Sequence, residues 1–181
     1  MNRADKYSAA ARQAAIAIRL LILDVDGVLT DGGVYYDQEG RISKRFDIQD
    51  GLGIKLMQSV GLEVAVVSGV VSPAVEKRVR ELGIAEYRAG HLHKVVTLES
   101  LVVARGLTLA QVAFLGDDWV DAAAMRVSGL PMAVSNAQPE ILALALWVSR
   151  ARGGHGAVRE AVRFILEAQG RLEALWQCWG Q

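Results

Sequence analysis

The sequence has little of what marks several large classes of protein. Its 181 residues include one cysteine, so no intrachain disulfide can form, which favours a reducing compartment. Twenty basic residues balance twenty acidic ones, and this zero net charge argues against binding to nucleic acid or to an anionic membrane surface. Clean apolar runs such as residues 141–148 are far shorter than the roughly 20 residues that span a bilayer. We therefore expect a cytoplasmic protein.

What the sequence does contain is an alternation of short apolar runs with helical stretches. The runs at residues 20–25, 63–67 and 112–115 are typical of strands buried on both faces, and residues 52–60 have a helical pattern. Apolar residues make up 52% of the chain, and a chain of this length can bury about two-thirds of its unfolded surface. Repeated strand–helix units predict a doubly wound parallel α/β sheet, Rossmann-like, in a single domain over residues 1–181.

Two segments fall outside this alternation. The segment 32–47 has an apolar run, turn residues at 37–40 and a second run, which predicts a β-hairpin that protrudes from the main sheet. The C-terminal tail, residues 170–181, is rich in aromatic side chains. We interpret Trp176 and Trp179 as groups that pack on the domain or contact another subunit.

Polar side chains follow the predicted strands at the points where they end. Asp24 and Asp26 follow the first strand, Ser68 follows the second, Lys94 begins a predicted helix, and the stretch GDDWVD (116–121) follows a later strand. In doubly wound folds the carboxyl ends of the strands form the site, so we expect these groups to converge. Buried carboxylates need compensation, and oxygen ligands suit Mg²⁺. The sequence therefore predicts a magnesium site at this edge.

The order of these motifs resembles the haloacid dehalogenase superfamily of phosphatases, which use an aspartate nucleophile. Within it, the chain is similar to the small capless branch that contains 3-deoxy-D-manno-octulosonate 8-phosphate phosphatase, where a protruding hairpin takes the place of a cap domain. The match spans roughly residues 19–170. The stretches that carry it are DVDGVLTDGG (24–33), FDIQDGLGI (46–54), Ser68–Gly69, Lys94, GDDWVD (116–121) and GGHGAVRE (153–160).

The resemblance implies a Mg²⁺-dependent phosphomonoesterase. Asp24 would attack phosphorus and form an aspartyl-phosphate, while Asp26 would protonate the leaving alkoxide and then activate water. Mg²⁺ would be held by Asp24, the backbone carbonyl of Asp26, and Asp117. The other implied positions are Ser68 and Lys94 on the phosphate, and Asp118 and Asp121 behind the metal, orienting its water and Lys94.

The same branch implies a substrate and an assembly. The hairpin of one subunit helps to close the site of a neighbour in a homotetramer, and the segment 32–47 is the corresponding hairpin. Two positions depart from the pattern: Val70 stands where arginine is usual, and His155 stands where the glycine-rich loop usually has arginine or another polar residue. The implied substrate-binding residues are Asp26, Asp47, Gln49, Asp50, Gly51, Lys55, Arg78 and Lys94.

Other functions stay open at this point. The substrate is either the eight-carbon sugar acid phosphate or a related one, such as a nine-carbon keto-deoxy sugar acid phosphate, or the phosphatase is relaxed. A receiver-like signalling module also uses an acidic cluster and a lysine, but it offers no general acid at the position of Asp26. A weakly catalytic oligomeric scaffold is a further alternative. Simpler interpretations also apply: Asp118 as a helix N-cap, Ser68 as a loop-closing residue, Lys94 as a solvated side chain, and His91 and His93 as incidental.

Overall fold

Six parallel strands lie at the centre of the computed structural model, which describes residues 8–180. The predicted domain, residues 1–181, extends beyond the described residues at both ends. In chain order the strands are β1 (Leu20–Leu23), the hairpin strands β2 (Tyr35–Tyr36) and β3 (Ile42–Ser43), β4 (Glu63–Ser68), β5 (Glu86–Ala89), β6 (Val112–Gly116), β7 (Leu130–Ala133) and β8 (Trp147–Val148). The main sheet has the order β5-β4-β1-β6-β7-β8. Strands β4 and β5 lie on one side of β1, and β6 to β8 lie on the other, so the strand order reverses at β1. Doubly wound sheets form their ligand crevice at such a point of reversal.

Helices cover the sheet in two groups. The four residues of β1 are fully buried, because apolar side chains on both faces of the strand meet helices. Helices α1, α2 and α7 pack together, as do α4, α5 and α6, and this confirms the predicted doubly wound α/β fold. The helices are α1 (Ala9–Ala17), α2 (Ile48–Ser59), α3 (Pro73–Glu81), α4 (Lys94–Ala104), α5 (Ala122–Val127), α6 (Pro139–Leu144), α7 (Ala157–Ala168) and α8 (Leu172–Trp179).

The predicted hairpin is present and separate from the main sheet. Strands β2 and β3 pair antiparallel, and both are exposed. The Asp37 carboxylate closes the turn by accepting the backbone N–H groups of Glu39 and Arg41 at 3.0 and 2.8 Å. At the base of the hairpin, an antiparallel bridge between Thr30 and Phe46 joins its stem to the loop that follows β1.

Helix α2 begins at Ile48, four residues before the predicted start at residue 52. Asp47 caps it by accepting the backbone N–H groups of Gln49 and Asp50 at 2.7 and 3.3 Å. The sequence hid this turn because Gly51, directly before residue 52, disfavours a helix. In the fold Gly51 and Gly53 are both buried, and their missing side chains make room for two arginines from α3 and α7.

The C-terminal tail contains a helix that the sequence analysis did not predict, α8 at residues 172–179. Leu175 is buried against the domain, whereas Trp176 and Trp179 are 66% and 55% exposed. Helix α8 is therefore held to the domain through Leu175, and its two tryptophans form an aromatic surface that faces solvent. Across residues 8–180, no helix has both the length and the apolar character needed to cross a membrane.

Candidate active site

Three acidic residues meet at the carboxyl edge of the sheet, where β1 and β6 lie side by side. Asp24 follows β1, Asp117 follows β6, and Asp121 ends the short 3₁₀ turn at Trp119–Asp121. One carboxylate oxygen from each lies within 4.8 Å of the others. Asp24 and Asp121 are 5% and 0% exposed. Carboxylates this close and this buried repel one another, so the cluster needs positive charge.

Lys94 supplies part of that charge. It is the first residue of α4, it is 1% exposed, and its Nζ donates to Oδ1 of Asp24 and to Oδ1 of Asp121, both at 2.6 Å. Burial opposes the charged ammonium, but the two carboxylates outweigh it and raise the pKa of Lys94. Lys94 is therefore a buried cation at the centre of the site, and not a solvated helix residue.

Lys94 balances only part of the negative charge of the three carboxylates, and the rest suits a divalent cation. Burial is the main cause that raises the pKa of Asp24 to about 6, with repulsion from Asp121 adding to it and Lys94 opposing it. Burial, together with Asp24 and Asp121, raises the pKa of Asp117 to about 8. Oδ1 of Asp117 is buried with no hydrogen-bond partner among the described residues. A buried, unpartnered carboxylate oxygen in an acidic cluster matches the oxygen-rich coordination that Mg²⁺ prefers.

Asp118 and Asp121 take different positions, although the sequence placed both behind the metal. Asp121 Oδ2 accepts the backbone N–H groups of Asp117 and Asp118 at 2.9 and 3.4 Å, so this side chain fixes the GDD turn as well as Lys94. Asp118 is exposed, and its Oδ1 accepts the backbone N–H of Trp119 at 2.6 Å. Of its two interpretations, the structure favours the cap for Asp118.

Asp26 lies in the kinked segment Val25–Leu29 that follows Asp24, where its backbone is not helical (φ −78°, ψ 113°), and its side chain is partly exposed. Its Oδ1 accepts a hydrogen bond from Nζ of Lys44, which comes from the end of the hairpin. Sequence analysis missed Lys44. The stretch RISKRF gives no signal for it, because only the folded hairpin brings this residue back to the loop after β1.

Glycines let three loops meet behind the acids. Gly27 has a φ of +90°, and a Cβ there would collide with the Asp117 carboxylate. A Cβ on Gly153 would collide with the carbonyl of Gly27, and the N–H of Gly154 donates to the carbonyl of Val28 at 2.9 Å. The glycine-rich loop therefore packs directly on the loop that carries Asp24 and Asp26.

Ser68 ends β4 at the same edge of the sheet and is 1% exposed. Its Oγ accepts the N–H of Val70 at 3.2 Å and donates to the carbonyl of Val70 at 3.0 Å. The Val70 side chain is 56% exposed, so the position that departs from the family pattern presents an apolar surface to solvent. His155 is exposed, and its Nδ1 lies 2.9 Å from the carbonyl of Gly153 in its own loop. His91 and His93 are also exposed, and neither joins the acidic cluster.

The structure places most of the predicted sugar-binding residues around the start of α2. Asp47 caps that helix, and Gln49 is exposed. Asp50 is 1% exposed and turned inward, where its carboxylate accepts the backbone N–H groups of Gly156 and Arg159 at 3.3 and 2.7 Å. Burial is the main cause that raises the pKa of Asp50 to about 6. Asp50 therefore caps α7.

The predicted basic residues also brace this region. The guanidinium of Arg78 lies 6.0 Å from the centre of the Phe46 ring and donates to the carbonyl of Asp47 at 3.3 Å, above the buried Gly51. The ammonium of Lys55 lies beside Gly83, after α3. Within residues 8–180, no hydrogen bond or ion pair joins Arg78 or Lys55 to the acidic cluster.

The site has the arrangement of a phosphate-ester hydrolase that works with a divalent metal. On a doubly wound sheet it combines Asp-x-Asp after β1, a buried serine at the end of β4, a buried lysine, and Gly-Asp-Asp at the end of β6. Comparisons with known proteins agree. A family model of haloacid dehalogenase-like hydrolases matches residues 81–160. The 3-deoxy-D-manno-octulosonate 8-phosphate phosphatase of Yersinia pestis is 40% identical over 161 residues, which cover 89% of this chain and 86% of that protein.

Solved structures of other proteins are also similar to this chain. The 3-deoxy-D-manno-octulosonate 8-phosphate phosphatase of Moraxella catarrhalis, solved with magnesium, phosphate and the sugar acid, superposes with a TM-score of 0.91 at 36% identity, covering 93% of this chain and 97% of that one. A probable YrbI family phosphatase of Pseudomonas syringae gives 0.93 at 41% identity, covering 96% and 99%. The chain belongs to the haloacid dehalogenase-like hydrolases, in the family of the 3-deoxy-D-manno-octulosonate 8-phosphate phosphatases.

Proposed function

We propose that the protein hydrolyses 3-deoxy-D-manno-octulosonate 8-phosphate to the free sugar acid and inorganic phosphate. The observation that carries this proposal is the buried cluster of Asp24, Asp117 and Asp121, with Lys94 bonded to two of them, at the carboxyl edge of the sheet. Binding of magnesium, phosphate and the sugar acid by the Moraxella catarrhalis protein supports the same chemistry here.

The reaction divides into two displacements at phosphorus. In the first, a carboxylate oxygen of Asp24 bonds to phosphorus, the bond to the ester oxygen breaks, and the leaving alkoxide takes the proton of Asp26. In the second, Asp26 takes a proton from water, whose oxygen bonds to phosphorus as the bond to Asp24 breaks. Phosphate leaves, and both aspartates return to their starting states. The spacing of two residues supports this division of labour, because it places both carboxylates on one loop.

The groups around the two aspartates position the phosphate and balance its negative charge. Mg²⁺ would be held by the carboxylates of Asp24 and Asp117 and by the backbone carbonyl of Asp26, and it supplies positive charge to the phosphate oxygens. Lys94 is held by Asp24 and Asp121, so its ammonium is oriented before substrate arrives. The Ser68 hydroxyl, at the end of the neighbouring strand, is the proposed second donor to phosphate, and it would exchange its bond to the Val70 carbonyl for one to phosphate.

One position of the sequence bears on the identity of the sugar. Val70 replaces the arginine of the family pattern, so one charge-assisted contact to a carboxylate is absent. Either Lys55 and Arg78 suffice for the sugar acid, or the substrate is a related one, such as a nine-carbon keto-deoxy sugar acid phosphate, or the phosphatase is relaxed. The proposed contacts of Asp47, Gln49 and Arg78 with the sugar acid stay predictions, as do those of Gly51 and Lys55. The predicted contact of Asp50 has a structural alternative, because its carboxylate caps α7.

We further propose a cytoplasmic homotetramer in which hairpins close neighbouring sites. The hairpin is the feature that supports it, because its apolar side chains face solvent in the single chain: Val34 is 55% exposed, Tyr35 47%, Tyr36 68% and Ile42 51%. A monomer rarely leaves a concentrated apolar surface uncovered. Trp176 and Trp179 of α8 add a second exposed apolar surface.

A substrate panel tests the proposal. We expect kcat/KM with Mg²⁺ to be at least about 100-fold higher for the eight-carbon sugar acid phosphate than for a hexose phosphate, since this ratio measures differential binding of the transition state. A higher value for the nine-carbon acid phosphate would select the alternative substrate. A ratio near one across all phosphates would contradict both.

A further inference from the structure

Lys44 is a buried cation that the reaction described above does not use. Its side chain is 6% exposed, although it belongs to an otherwise exposed hairpin, and its ammonium pairs with the carboxylate of Asp26. Burial of an ammonium is costly unless a charged partner and good geometry compensate it. The fold therefore holds Lys44 at one place, and that place is beside the proposed general acid.

The base of the hairpin is attached to the site on two sides. On one side, the bridge between Thr30 and Phe46 sets the stem against the loop after β1, and the Thr30 hydroxyl donates to the carbonyl of Val25 at 3.2 Å. On the other side, a guanidinium N–H of Arg45 donates to the carbonyl of Gly154 in the glycine-rich loop. The position of Lys44 is thus determined by both loops that form the site.

We infer that Lys44 is a positioning residue for Asp26 in phosphoryl transfer, an inference that rests on the proposed phosphatase activity. Lys44 occupies Oδ1 of Asp26, and no described residue donates a hydrogen bond to Oδ2. One oxygen is held and the other is left to exchange a proton with the leaving oxygen. Without Lys44 the partly exposed carboxylate samples other rotamers, and a general acid displaced by about 1 Å can lose about 100-fold in rate.

Leaving groups of different basicity separate this role from a merely structural one. A sugar alkoxide needs a proton as it departs, whereas p-nitrophenolate leaves without one. For Lys44→Met we expect kcat/KM to fall about 10- to 100-fold with the sugar acid phosphate and less than about threefold with p-nitrophenyl phosphate. The quantity kcat/KM is used because it reports the steps up to the first phosphoryl transfer, where Asp26 donates its proton.

The control is Arg80→Met, a charge removal on the exposed face of α3. The Arg80 side chain is 75% exposed and pairs with Glu76 of the same helix, so both substrates should keep their wild-type kcat/KM. Turnover of p-nitrophenyl phosphate shows that the Lys44 variant is folded. If Lys44→Met does not fold, Lys44→Gln, which keeps a long polar side chain, is measured in the same way, with the same split expected.

Equal losses of kcat/KM for the two leaving groups, or no loss for either, would overturn the inference. Both results leave the proposed function intact, because the wild-type protein still hydrolyses the sugar acid phosphate. Failure of the wild-type protein itself to release phosphate in the presence of Mg²⁺ is the separate result that rejects the proposed function.

Discussion

Replacement of Asp50 tests whether this residue stabilises the fold or binds substrate, which is the role that its motif implies. Its carboxylate is 1% exposed and accepts two backbone N–H groups at the start of α7, those of Gly156 and Arg159. These contacts tie α2 to the helix that follows the glycine-rich loop. We expect Asp50→Ala to destabilise the fold, and to affect turnover mainly through the fraction of folded protein.

The magnitude follows from the two hydrogen bonds. Bonds to a charged acceptor contribute about 1.5–3 kcal/mol each, and loss of an N-cap alone costs about 1 kcal/mol. The stabilisation from these hydrogen bonds is partly offset, because burial disfavours the charged carboxylate and raises the pKa of Asp50 to about 6. We therefore expect a net loss of about 2–3 kcal/mol, which for a domain of this size lowers Tm by about 5–10 °C.

The assay is thermal and urea unfolding of the metal-free and Mg²⁺-loaded protein, together with KM for the sugar acid phosphate. Asp50→Asn keeps an acceptor oxygen without the charge and should lose less than Asp50→Ala. Asp47→Ala removes the more exposed cap of α2 and should cost only about 1 kcal/mol. If Asp50→Ala melted within about 2 °C of wild type and raised KM at least about tenfold, Asp50 would be a substrate ligand and the capping argument would be refuted.

The remaining predictions concern pH. In the metal-free protein the pKa values of Asp24 and Asp117 are raised to about 6 and about 8, so the folded state binds more protons than the unfolded state between about pH 4 and 8. Stability of the metal-free protein should therefore fall as pH rises through this window, and a rise in Tm over it would contradict the assignment. Because Mg²⁺ must displace these protons, its affinity should increase with pH up to about 8 and then become constant. Calorimetry in two buffers of different ionisation enthalpy should detect the released protons. An affinity for Mg²⁺ that does not change with pH would contradict proton displacement.

The sheet and the position of the acids could be predicted from sequence because both follow from local patterns. Continuous apolar runs identify buried strands, and the parallel arrangement brings their carboxyl ends to one edge. Asp24 and Asp117 therefore meet although they are far apart in the chain. The motif order also identified Lys94, which the structure buries between Asp24 and Asp121.

What the sequence could not provide depended on contacts between distant segments. Gly51 disfavours a helix locally, so the first turn of α2 was missed, yet the lack of a side chain there is what lets Arg78 pack against the helix. Lys44 is one of several charges in a polar hairpin, and only the fold brings it to Asp26. The inward turn of Asp50 likewise depends on where α7 begins, which no local pattern around residue 50 reveals.

Replacement of Asp24 tests the central claim most directly, because every step of the proposed reaction passes through its carboxylate. Asp24→Asn should stay folded with a Tm at or above that of wild type, since the substitution removes a charge that burial and Asp121 disfavour. The variant should release no phosphate from the sugar acid phosphate above the enzyme-free rate in the presence of Mg²⁺. The control Glu76→Gln, on the exposed face of α3, should keep wild-type turnover. A folded Asp24→Asn protein with kcat within about tenfold of wild type would contradict the account.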